Sequence, residues 1–187
     1  VATNANVSAF AGSGDTYTAT ITPTGGNITI DVAADVAVDA ANNGNTAASQ
    51  VAVTYDNVEP TVAITGAPSI INSNTPFGIT VTFSEAVTEF IESEIVATNA
   101  NVSAFAGSGD TYTATITPTG GNITIDVAAD VAVDAANNSN TSASQVAVTY
   151  DNVAPTVTIT GAPSTVNSTA AFSISIEFSE SVNDFIV

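Results

Sequence analysis

Polar and apolar residues alternate with a period of two along most of the chain. FGITVTF places Phe77, Ile79, Val81 and Phe83 on one side and Gly78, Thr80 and Thr82 on the other. TYTATIT sets Tyr112, Ala114 and Ile116 against four threonines at Thr111–Thr117, and GNITIDV turns Ile123, Ile125 and Val127 inward with Thr124 and Asp126 outward. This is the period of a strand with one packed and one wet face, built from residues that favour extended backbone. VAIT at Val62–Thr65 and QVAVTY at Gln145–Tyr150 read as strands completing the edges, and EIVATNANVSAF at Glu94–Phe105 as two strands around a bend. GSGD, PTGG and NNSN supply turns between them. Only ADVAVDAANN at Ala129–Asn138 offers a turn or a short 3-10 segment. About seven short strands in roughly 90 residues predict an all-β fold, a sandwich of antiparallel strands.

The pattern is written more than once. Val1 aligns with Val96, an offset of 95 residues that holds without a gap to the end of the chain. Residues 1–58 and 96–153 differ only at Gly44/Ser139 and Ala47/Ser142. A period this long is one small domain rather than one hairpin of a fine-grained solenoid. The joint is YDNVEPT at Tyr55–Thr61, repeated as YDNVAPT at Tyr150–Thr156. Three segments are expected: 1–58 as the C-terminal part of a unit, 59–153 as a complete unit, and 154–187 as the N-terminal part of the next. The chain reads as a mature or excised piece of something longer. Its outer segments would expose core-facing surfaces that complement one another. Either a second copy completes them, or they are a window on a continuous array.

Composition narrows the chemistry. The 187 residues are 44% hydrophobic, enough for real cores, and carry 18 Asp and Glu with no Lys, Arg or His, a formal charge of −18. Such a chain repels nucleic acid and anionic membrane surfaces and attracts cations. It has no His, Lys, Arg or Cys, the residues most enzymes use for proton transfer, nucleophilic attack and anion stabilisation. No stretch approaches the ~20 apolar residues of a membrane-spanning helix.

The words TVTITGAPSTVNS, FSE, GSGDTYTATITPTGGNITIDV and VAVDAANN, followed by the YDN joint, resemble the bacterial Ig-like repeats of giant secreted adhesins and other cell-surface proteins. The resemblance covers the whole chain, and it implies Ig-like β-sandwich modules in tandem, forming stalks frequently stiffened by Ca²⁺ at the joints. Two places depart from the common form: Glu94 stands where an Asp often precedes the IxV strand, and the turn often written DAAGN is DAANN at Asp39–Asn43 and Asp134–Asn138.

Calcium requires about six to eight oxygen ligands, and the joints offer them. Asp56, Asn57 and Glu59 lie in one joint, Asp151 and Asn152 in the next. Glu85 and Glu180 of the FSE words fall near strand ends, and Asp39 and Asp134 lie in loops that can approach the same end of a sandwich. The candidate metal ligands are therefore Asp39, Asp56, Asn57, Glu59, Glu85, Asp134, Asp151 and Asn152, each also a residue type that closes turns by accepting backbone hydrogen bonds. Asp126 and Asp130 do not make a glycosidase pair, because one sits on a strand's wet face and the other in a turn. The threonine rows at Thr16–Thr22 and Thr111–Thr117 are ordinary solvent-facing strand chemistry. Phe10, Tyr17, Phe105 and Tyr112 are expected in the core.

These features point to a spacer or fibre-forming module of an extracellular bacterial surface protein with no catalytic role, self-associating head to tail or continuing the same array. The competing expectation is a glycan- or surface-binding module, which would show an exposed aromatic or a deep carboxylate pocket in every unit.

Overall fold

The computed structural model describes residues 1–186; Val187, the last residue of the expected third segment, lies outside the described residues. Strands β1 (Ala2–Thr3), β2 (Ala5–Ser13), β3 (Thr16–Pro23), β4 (Ile28–Ile30) and β5 (Val51–Val53) come first. Next are β6 (Val62–Thr65), β7 (Ile70–Ile71), β8 (Phe77–Val87), β9 (Ile95–Thr98), β10 (Ala100–Pro118), β11 (Ile123–Val127) and β12 (Val146–Tyr150). β13 (Val157–Thr160) and β14 (Ser175–Phe178) end the series, and a single 3-10 turn covers Glu92–Glu94. The fold is all-β and consistent with an Ig-like β-sandwich.

Two sheets enclose the main core. One has the order β10-β8-β6 and the other β7-β12-β11-β9. The residues that alternate inward in the sequence fill the space between them: Ile79, Val81 and Phe83 from β8, Tyr112, Ala114 and Ile116 from β10, Ile123, Ile125 and Val127 from β11, and Val148 from β12 are all buried. Phe83, Phe90, Phe105 and Tyr112 form one aromatic cluster, in which Phe90 meets the Tyr112 ring edge-on at 5.0 Å and Phe105 stacks on Tyr112 at 5.6 Å. That stacking shows that β10 folds back on itself between Phe105 and Tyr112. The reversal depends on Gly107, whose φ is +129° and where a Cβ would lie 2.4 Å from the Thr111 carbonyl oxygen. Burial also pushes the Tyr112 phenol above its ordinary pKa.

Two details depart from the expected topology. The 145–150 run is not an edge: β12 lies inside its sheet, because the unforeseen β7 pairs with it, Thr149 opposite Ile70. That pair is parallel in a fold expected to be antiparallel. Ala129–Asn138 forms turns, one of the two expected alternatives, and a 3-10 turn not foreseen lies at Glu92–Glu94.

Pairings in the main body recur 95 residues away. Ala2 pairs with Ile30 as Ala97 pairs with Ile125, Ile28 with Val53 as Ile123 with Val148, and Val157 with Phe178 as Val62 with Phe83. Burial recurs at Ile28, buried like Ile123, but not at most of the other positions. Phe10 is 72% exposed and Tyr17 55% exposed, which corrects their assignment to a core. They stack on each other at 5.6 Å as Phe105 and Tyr112 do, but among the described residues no counterpart of Phe83 and Phe90 covers them.

Asn140 pins the long loop after β11. Its side chain is 2% exposed; Oδ1 accepts the Val131 and Ala132 N–H groups at 2.9 and 2.8 Å, and Nδ2 donates to the Ala128 and Thr141 carbonyls. Asn45 makes the equivalent four bonds while only half-buried. Buried backbone groups stripped of a partner lose about 1–3 kcal/mol each, whereas wet ones turn to solvent. Asn140→Ala should therefore destabilise the main core by about 2–4 kcal/mol and Asn45→Ala should leave it unchanged, measured by urea unfolding with amide exchange read at β11.

Candidate metal centre

Three chain segments are fastened at one end of the sandwich. The joint before β6 is tied to the far part of β8 by a reciprocal pair, Ser84 N–H to the Thr61 carbonyl at 2.9 Å and Thr61 N–H to Ser84 Oγ at 3.0 Å. The loop after β11 is tied to the end of β8 through Thr88 and Val133, whose N–H groups each donate to the other's carbonyl. It is tied to the joint through Thr141 N–H on the buried Pro60 carbonyl and Asn138 Nδ2 on the Asp56 carbonyl, at 2.9 and 3.3 Å. Backbone pairing at these anchors brings together acids far apart in sequence.

Asp56 from the joint, Glu85 from β8 and Asp134 from the loop converge, each with a carboxylate oxygen within 4.8 Å of the others. Asp134 is buried and the other two are half-buried. The donors are all oxygen, the set that hard divalent cations take, and the cluster could coordinate a metal ion.

The three carboxylates are held differently. Asp134 closes its own turn: Oδ1 accepts the Ala136 and Asn138 N–H groups at 2.7 and 2.8 Å, and Oδ2 accepts Asn138 Nδ2 at 2.8 Å. The Asn138 side chain is the main cause holding its pKa below the ordinary aspartate value; burial opposes this and the turn's backbone N–H groups support it. Asp39 closes the same turn through Ala41 and Asn43 with no neighbouring acids, and Asn43 likewise lowers its pKa. The turn therefore forms without the cluster. Asp56 Oδ1 accepts the Val58 N–H at 3.0 Å. Glu85 has the opposite shift from Asp134: burial raises its pKa, and the charges of Asp56 and then Asp134 raise it further.

Of the eight candidate ligands, then, Asp56, Glu85 and Asp134 meet. Asn57 and Glu59 are exposed in the same joint, and Glu59 is not one of the three carboxylates that meet. Asp151 occupies the second joint, where it lines an open groove with Glu180, beside Ile71, Asn72 and Pro155. Asn152 is next to it, exposed. Asp39 stands alone on its loop. Asp126 accepts both of its contacts from Gln145 Nε2, and Asp130 is a turn residue with φ +61°, so the two serve separate structural ends.

The pKa of Glu85 sets the sign of its pH effect. A carboxyl whose folded pKa is raised favours the folded state while protonated, below its unfolded pKa, and that contribution is lost as pH rises through the folded value. Asp134 is the reverse: its contribution is present above its unfolded pKa and lost as pH falls through the lowered one. In chelator at neutral pH, Glu85→Gln should therefore raise the thermal midpoint of the main body. The gain should shrink as acid protonates the wild-type Glu85. Adding a divalent cation should raise the wild-type midpoint and leave the variant nearly unmoved, as read by calorimetry across pH.

No helix among the described residues is long and apolar enough to cross a membrane. A search of curated proteins finds no match to the chain. A family described as bacterial Ig-like domain matches residues 56–150, from the joint aspartate to the end of β12, and its members are structural, non-catalytic modules. With that match spanning half of its length and a two-sheet β fold beneath it, the chain belongs to the bacterial Ig-like domain family.

Proposed function

We propose that the chain is a spacer or fibre-forming segment of an extracellular bacterial surface protein of the adhesin type. In this reading 95-residue Ig-like units of about seven strands follow one another head to tail, with 59–153 as a complete unit and 1–58 and 154–187 as parts of its neighbours. Calcium stiffens the joints. The observation that carries this is the meeting of a joint residue, Asp56, with Glu85 and Asp134 of the unit that follows it. An ion shared among them couples the orientation of the joint to the sandwich. Asp151 and Glu180 repeat two of the three positions at the next joint, and Asp39 the third position of the one before. Near-identical units suit a spacer, where length matters and no copy needs its own ligand.

The rival glycan- or surface-binding reading needs an exposed aromatic or a deep carboxylate pocket in every unit. Phe10 and Tyr17 are exposed, but Tyr112 is buried and Phe105 partly buried against the core, so an exposed aromatic pair does not recur.

Small-angle scattering of the 187-residue chain, kept dilute, tests the stiffening. Calcium should narrow the distribution of segment orientations and lengthen the mean particle, and Asp56→Ala should remove the response. Identical scattering in calcium and chelator would overturn the proposed role for calcium.

A further inference from the structure

Asn43 is the only asparagine of the chain that is followed by glycine. Its counterpart 95 residues on, Asn138, is followed by Ser139, one of the two positions at which the copies differ. The turn around each is the same. Asp39 N–H donates to the Asn43 carbonyl at 3.1 Å and Asn45 N–H to the Ala37 carbonyl at 3.0 Å; Asp134 and Asn140 donate to Asn138 and Ala132 at 3.1 and 3.0 Å. These bonds flank the bridges Val38–Gly44 and Val133–Ser139. In an antiparallel pair a position flanked in this way exchanges no hydrogen bond with the residue opposite. The N–H groups of Gly44 and Ser139 therefore point away from the facing segment, and among the described residues no acceptor meets either.

What separates the two turns is a single Cβ. A Cβ on Gly44 would overlap Asp35 Oδ1, so that carboxylate takes the side of the backbone on which Ser139 carries its hydroxymethyl group. Without a side chain, Gly44 is also free to turn its nitrogen toward the Asn43 side chain, a rotation that a Cβ restricts. The target amides are held alike. Asn43 Nδ2 donates to Asp39 Oδ2 at 2.9 Å; Asn138 Nδ2 donates to Asp134 Oδ2 at 2.8 Å and to the Asp56 carbonyl at 3.3 Å.

We propose that Asn43 is a site of spontaneous deamidation, with water as the co-reactant, and that Ser139 protects Asn138 from the same reaction. The Gly44 nitrogen gives up its proton and attacks Asn43 Cγ. The N–Cγ bond forms, the Cγ–Nδ2 bond breaks, and Nδ2 leaves with that proton as ammonia. Water then opens the resulting succinimide at either carbonyl, giving aspartate or, where the backbone is rerouted through Cγ, isoaspartate. Nothing is oxidised or reduced. Either product ends the donation to Asp39 and sets a second carboxylate beside it, a like-charge contact in place of a hydrogen bond. Isoaspartate also inserts a methylene into the backbone between the Asp39–Asn43 and Ala37–Asn45 bonds, so the two cannot keep their register. At Asn138 the same change would remove the tie to the Asp56 carbonyl as well, loosening the loop that carries Asp134. The inference is independent of the spacer reading and of calcium.

Incubation of the full chain at mildly alkaline pH, followed by cleavage after the tyrosines and mass spectrometry, tests the proposal. The two turns fall in peptides that differ at Gly44/Ser139 and Ala47/Ser142, so each asparagine is followed separately in one sample. Asn43 should be the first asparagine converted, with isoaspartate among its products, and Asn138 should lag severalfold. Gly44→Ser should slow Asn43 to the pace of Asn138; the turn accepts a serine there, as Ser139 shows. Ser139→Gly should speed Asn138 toward the pace of Asn43, and the aged variant should melt at a lower temperature than the fresh one. A short peptide spanning Asp39–Ala47 serves as the reference for an unrestrained Asn–Gly pair. Asn43 remaining an amide while that peptide converts, equal rates at the two turns, or rates that do not exchange with the Gly and Ser residues would each overturn the proposal.

Discussion

Eighteen carboxylates fold here without one basic side chain to meet them. Every acidic side chain must therefore be solvated, bonded to amide or hydroxyl donors, or neutralised by a cation from outside. The chain uses amides where it can: Asp39 and Asp134 each collect two backbone N–H groups and an Asn side chain, and Asp31 and Asp126 are met by Gln50 and Gln145. Hydrogen bonds to the ionised form hold aspartate charged where burial alone would neutralise it. Glu85 is the exception, raised in pKa by burial and by two neighbouring acids. A position where amides do not answer the charge is one that an external cation would relieve.

The end of the sandwich is built so that this unanswered charge is unavoidable. Three backbone ties fasten the joint, the end of β8 and the loop after β11 to one another, and the acids arrive as a consequence. Asn140 holds the loop from inside with four hydrogen bonds to backbone, so a buried network fixes the loop that carries the buried Asp134.

Residues 1–53 and 96–148 hold nearly one sequence and nearly one set of pairings, yet differ in what is buried. Tyr112 is 5% exposed and Tyr17 is 55% exposed. The turns, the glycines Gly12 and Gly107 where the two arms of the hairpin approach closely, and the stacked Phe–Tyr pairs form in both, since each is decided within a hairpin or loop. A closed core is decided by β8 and Phe90, which only one of the two segments has against it. Local geometry is thus the same whether or not the hydrophobic face is covered.

The sequence by itself determined the strands and their inward faces, because alternation with a period of two leaves Ile79, Val81, Tyr112, Ile123 and Ile125 only one side on which to pack. It also determined the turn chemistry, since Asp, Asn and Gly act on backbone groups a few residues away. It named Asp56, Glu85 and Asp134 among eight candidate ligands without being able to single them out, for they are brought together by pairings across tens of residues that no local pattern encodes. The short parallel β7, which moved β12 from the edge to the interior, left no trace because two isoleucines carry no period. Nor did the pattern separate Phe10 from Phe105, identical words whose burial depends on whether another strand lies across them. Periodicity fixes which face of a strand is apolar; only the tertiary arrangement decides whether anything covers it.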